Sequence, residues 1–168
     1  MNFGILMVQG LVNSFGTTVM AAFAAAVKID STAYLPVQDF GNAFSVFVAQ
    51  NHGADNRERI RKGVKSAVLV CAAFCIIISL AVCLFAEPLM KIFIDSNETA
   101  VIAVGAEYLK IEGAFYMGIG ILFLLYGYFR AVEKPGISVV LTVASLGTRV
   151  ALAYALSALP ILGVRGIW

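Results

Sequence analysis

Asp39 is the residue in this sequence that most needs a chemical reason to be where it is. It stands within a long, mostly apolar stretch, Val19 to Gln50. As a helix, that stretch would reach roughly 48 Å, against a hydrocarbon core of about 30 Å. A charge inside a membrane costs at least about 2.5–3.5 kcal/mol on insertion scales. If the helix leaves the membrane near Gln50, Asp39 lies about 16 Å from that end, close to the midplane. A carboxylate there can take up and return a proton, or help hold a cation. The structural alternative is a carboxylate paired with a neighbouring helix or wetted by a polar cavity with no coupling role. Lys28 and Asp30 lie two to three turns further out. Lys28 and Asp39 return to nearly the same helix face, which gives a stripe of Lys28, Leu35, Asp39, Asn42 and Val46. Snorkelling into headgroups is the simpler account of Lys28. Asp30 is either its ion partner or a second titratable site.

Other polar groups carry weaker signals. Gln9 and Asn13 are one turn apart and either line the same cavity or, more simply, hydrogen-bond between helices. Arg149 sits inside an apolar segment and reads as a structural anchor. Lys110 and Glu112 are expected to mark the outer membrane interface. His52 is a lone histidine in a polar stretch, and no role is assigned to it. Cys71, Cys75 and Cys83 all fall in one apolar run and are read as small apolar side chains rather than as a disulfide framework or zinc site. No nucleophile–base pair, phosphate-cradling glycine loop or metal cluster is found. An enzyme is not expected, and no cofactor beyond a coupling ion.

The elements that position these residues must be membrane helices. The chain is 61% hydrophobic and 13% charged, with a mean hydropathy of +0.91. Soluble domains are about a quarter charged, and a chain of 168 residues has no way to keep this much apolar surface from water. The net charge of +2 does not point to nucleic acid. Five helices are predicted, over approximately 3–16, 19–50, 66–86, 105–130 and 137–162, with Pro36 a place where the second can bend. Arg57, Arg59, Arg61, Lys62 and Lys65 crowd into the connection 51–65, and Arg130 and Lys134 into 130–136. By the charge bias of membrane loops, both connections face the cytoplasm. Gly113, Gly118, Gly120 and Gly127 permit close helix contacts in the fourth segment. The fold class is all-α integral membrane, with a single unit over 1–168.

Several motifs, in order, resemble the carboxy-terminal lobe of the MATE (multidrug and toxic compound extrusion) family. Val12 to Gly63 resembles the start of that lobe, with Gln50-Asn51-His52-Gly53-Ala54, Arg59, Lys62 and Gly63 matching its cytoplasmic connection Q-N-x-G-A-x-x-x-x-R-x-x-K-G. The run AEPLMKIFIDSNETAVIAVGAEYLKI is similar to the outer loop between its third and fourth helices. GYFRAVEKP is similar to the turn G-x-x-R-G-x-G-x-x-P, with Ala131 where the family usually carries Gly. TRVALAYAL and GVRGIW resemble the fifth helix and its exit. The resemblance places the chain on helices seven to eleven of a twelve-helix carrier. It implies a bundle of about five helices from one six-helix lobe, without the amino-terminal lobe.

What the resemblance implies is secondary active efflux of cationic or amphipathic drugs by proton or sodium antiport, from a cavity opened alternately to either face of the cell inner membrane. The sodium-linked branch carries an acidic residue in the lobe's fourth helix. Counted back from Gly127 and Arg130 that position is Ile119, so this carboxylate is missing, and a second would sit at or before Met1. Coupling is therefore expected through Asp39, with Asp30 as second candidate. Gln9, Asn13, Lys28 and Asn42 are the cavity candidates. Two other readings stand behind this one. A lipid-linked precursor flippase of the same superfamily should show more basic cavity residues than Lys28 and Arg149. An inactive fragment would transport nothing.

Overall fold

The computed structural model describes residues 9–157. After a short helical stretch over residues 9–13, six helices follow: α1 (Thr17–Gly53), α2 (Arg57–Leu84), α3 (Ala86–Met90), α4 (Thr99–Ala114), α5 (Tyr116–Ala131) and α6 (Pro135–Ser157). No strand occurs among the described residues, so the fold is an all-α bundle. The expected first helix is described only from residue 9, and the last only to residue 157.

α1 is the centre of the bundle and packs against α2, α4 and α5. It runs unbroken through Pro36, whose ring leaves the carbonyl of Thr32 without its usual amide partner. The Ser31 and Thr32 hydroxyls both bond back to the Lys28 carbonyl, at 2.9 Å each. One side of α1 is core, with Ala22, Ala26, Ile29, Val37, Phe44 and Val48 buried.

Small residues set how closely the helices approach. A Cβ placed on Gly127 of α5 would stand 2.5 Å from the Gly41 carbonyl oxygen of α1, and one on Gly120 would meet the Cys75 and Cys71 sulfurs at 2.7 and 2.8 Å. At these crossings a glycine backbone comes directly against the neighbouring helix, at Gly41 backbone in one case and cysteine sulfurs in the other, as in membrane interiors where dispersion replaces the hydrophobic effect. Cys71 and Cys75 are thus packing residues, as their sequence context suggested. Gly113 approaches Cys83, whereas Gly118 faces open space.

α2 is long and apolar enough to cross a membrane, with mean hydropathy 3.0 over its most apolar 18-residue stretch, and so is the 136–153 part of α6, at 1.7. α4 and α5 together form a third candidate span, bent by 52° at Phe115. The sequence suggested one helix over 105–130, and the structure breaks it there. α1 is not among the helices apolar enough to qualify. The large aliphatic side chains of α2 point outward, with Leu69 72% and Leu84 74% exposed. That is the surface of a chain solvated by lipid.

α2 begins at Arg57 rather than near Ser66. The basic cluster therefore lies on its first turns, and only residues 54–56 are non-helical. The cause is local. Asp55 takes a left-handed conformation (φ 47°). The amides of Asp55 and Asn56 bond the carbonyls of His52 and Asn51, which closes α1 as a Schellman motif. The Asn56 side chain then accepts from the Arg59 amide at 3.1 Å and caps α2. A matching turn joins α5 to α6, where Glu133 has φ 57° and the Lys134 amide bonds the Phe129 carbonyl. Both turns lie at the same end of the bundle, the basic end.

Candidate functional site

The polar stripe read from the sequence is one face of α1. Lys28, Leu35, Asp39, Asn42 and Val46 are all exposed, with Thr32 and Ala43 among them. The opposite face is the core. Asp39 sits in the middle of the bundle's depth, because nearby Val37 packs at Gly120 beside Cys71 and Cys75, and Gly41 packs on Phe123. Its carboxylate makes no ion pair among the described residues. Asn42 is held from across the bundle, its side-chain oxygen accepting from the Arg130 guanidinium at 2.8 Å. Gln9 and Asn13 are exposed on the helical stretch that precedes α1. The side chain of Arg149 lies outside the described residues.

Asp30 faces away from this stripe. It is buried, with 8% of its surface exposed, and accepts a 2.7 Å hydrogen bond from the Tyr116 hydroxyl. Lys28, two residues before it, is exposed. A spacing of two residues points their side chains to different sides of the helix. Tyr116 is the first residue of α5, directly after the break at Phe115. On the other side of the break, Glu112 is also buried at 8% exposure, with the Tyr108 hydroxyl 3.4 Å from its carboxylate. Tyr108 in turn packs edge-on against Phe23 of α1. The thiol of Cys83, at the end of α2, donates to the Lys110 carbonyl at 3.7 Å.

Two buried carboxylates, two phenols and a broken helix therefore meet where α1, α4 and α5 join. The sequence reading had set Glu112 at the outer interface with Lys110. The structure leaves Lys110 exposed and turns Glu112 inward. Tyr116, Glu112 and Arg130 were not singled out as site residues. The rule that marked Asp39, an ionisable group inside an apolar segment, would have marked Glu112 too.

An all-α chain with lipid-facing spans, close glycine crossings, a polar face on its central helix and buried carboxylates at a helix break is a multi-pass membrane protein. The MatE family model matches residues 1–155, and the chain belongs to that family. It is 31% identical over 128 residues to the probable multidrug resistance protein YpnP of Bacillus subtilis, covering 76% of this chain and 28% of that protein. To the probable multidrug resistance protein NorM of Thermotoga maritima it is 22% identical over 166 residues, covering 98% of this chain and 35% of that protein. It is 24% identical over 127 residues to a FAD transporter of Shewanella oneidensis, covering 76% of this chain and 28% of that protein. The chain thus spans about a third of the length of the curated relatives it matches.

Proposed function

We propose that this segment forms part of a carrier that exports cationic or amphipathic small molecules by antiport against a proton or sodium ion. The observation that carries the reading is the outward stripe of Lys28, Asp39 and Asn42 on α1, opposite a fully packed core face. A carboxylate at the depth of Asp39 is costly against hydrocarbon. The stripe belongs in a wet cavity shared with the rest of the carrier. Asp39 there offers a negative charge to a cationic substrate or to the coupling ion. Asn42, oriented by Arg130, offers a neutral hydrogen-bonding partner, and Gln9 and Asn13 extend the polar wall. The names of the multidrug relatives support efflux of drugs.

Coupling needs a group that exchanges an ion and a structural element that responds. Asp39 supplies the first on the cavity face. Asp30 supplies a second exchangeable carboxylate whose partner, Tyr116, begins the helix half beyond the break. In this reading the carrier sits in the plasma membrane with residues 51–65 and 130–136 on the cytoplasmic side, where basic residues concentrate.

The test is pH-driven substrate efflux by the full-length protein carrying Asp39→Asn. Loss of efflux at normal protein abundance is expected. Efflux at the unsubstituted rate would remove Asp39 from the mechanism.

A further inference from the structure

We infer that the groove between α1, α2 and α5 at the basic end of the bundle binds an anionic phospholipid of the surrounding leaflet. The groove has a volume of about 970 Å³, at the upper end of the roughly 300–1,000 Å³ typical of small-molecule sites. Its chemistry is graded along α2. Arg57, Arg61 and Lys65 also line it and follow one another at i, i+4 and i+8, which keeps them on one edge of the helix. Val68 continues the same edge as apolar surface, and Leu124 and Leu125 of α5 line the same groove. Lys134, from the α5–α6 turn, closes the basic rim from the other side.

That order fits a lipid lying along the helix, with its headgroup phosphate at the rim and its acyl chains below. Charge decides the class of lipid. Arg57 is already bonded to Asp55 at 3.2 Å, and the nearby Glu58 is taken by Lys62 at 2.7 Å. Arg61, Lys65 and Lys134 are exposed and make no ion pair among the described residues. A zwitterionic headgroup would leave these cations unbalanced, and a cationic drug would be repelled. A basic pocket between membrane helices at their cytoplasmic ends is the setting in which acidic headgroups are held. The groove does not share the cavity stripe, because its lining from α1 is Phe44 and His52 rather than Asp39 or Asn42.

The full-length protein in a neutral detergent, titrated with phosphatidylglycerol or phosphatidylcholine and read by native mass spectrometry, tests this. Phosphatidylglycerol is expected to be retained on the order of tenfold more tightly, given the attraction of each basic residue for acidic lipid. The combined Arg61→Gln, Lys65→Gln and Lys134→Gln variant should lose that preference while keeping its helical content and its phosphatidylcholine binding. Lys91→Gln with Lys110→Gln, at the other end of the bundle, should keep it. Leu125→Trp, which fills the groove, should weaken both lipids. Equal retention of the two lipids, a preference that survives the triple substitution, or binding of free glycerol phosphate as tight as that of the lipid would each overturn the proposal.

Discussion

Tyr116 donates its hydroxyl hydrogen to the Asp30 carboxylate at 2.7 Å. This one bond ties the core side of α1 to the first residue after the break between α4 and α5. A hydrogen bond to a charged group contributes about 1.5–3 kcal/mol. If only one conformer of the carrier contains it, the bond biases the two conformers by an order of magnitude or more. Tyr116→Phe is therefore expected to reduce coupled efflux by roughly tenfold, and Asp30→Asn to reduce it at least as far. Transport assays at matched protein abundance check this, and full rates in both variants would detach the pair from coupling.

The Gly127–Gly41 crossing has no spare room. Gly127→Ala puts a methyl group 2.5 Å from a backbone oxygen, and backbone gives way less readily than a side chain. Overpacking of this kind costs about 1–3 kcal/mol. A clear fall in melting temperature in detergent is expected. Gly118→Ala, with nothing within 4 Å, should leave it unchanged or raise it slightly, since alanine is the better helix former.

Glu133 adopts φ 57° at the helix end, where glycine fits without cost. Glu133→Gly is expected to stabilise the α5–α6 turn by about 1 kcal/mol. Asp55, at φ 47° in the matching turn, should respond in the same direction, and thermal unfolding in detergent measures both. Neither substitution touches the α1 stripe, so efflux should hold.

Much of the architecture was legible in the sequence because lipid imposes a simple rule. The apolar run of α2 announced a span, and the spacing of Lys28, Asp39 and Asn42 announced one helix face. Gly127 and Gly120 announced close approach. The break at Phe115 was not legible, because nothing in Gly113 to Gly118 forbids a continuous helix, and the bend of 52° expresses packing against α1 and α2. The start of α2 at Arg57 was missed for a different reason. A basic cluster between apolar runs reads as a membrane loop, although arginine and lysine are good helix formers and Asn56 is a ready cap. The Asp30–Tyr116 pair joins residues 86 positions apart in the chain, and no local pattern records such a contact.

The claim on which the rest depends is that the exposed face of α1 borders water while the exposed face of α2 borders lipid. In the full-length protein with Cys71, Cys75 and Cys83 replaced by alanine, single substitutions Asp39→Cys, Asn42→Cys and Leu69→Cys can be exposed to a membrane-impermeant sulfonate thiol reagent. Rapid labelling at positions 39 and 42, with loss of efflux, and no labelling at position 69 is the expected result. Labelling at position 69 with silence at 39 and 42 would contradict the account.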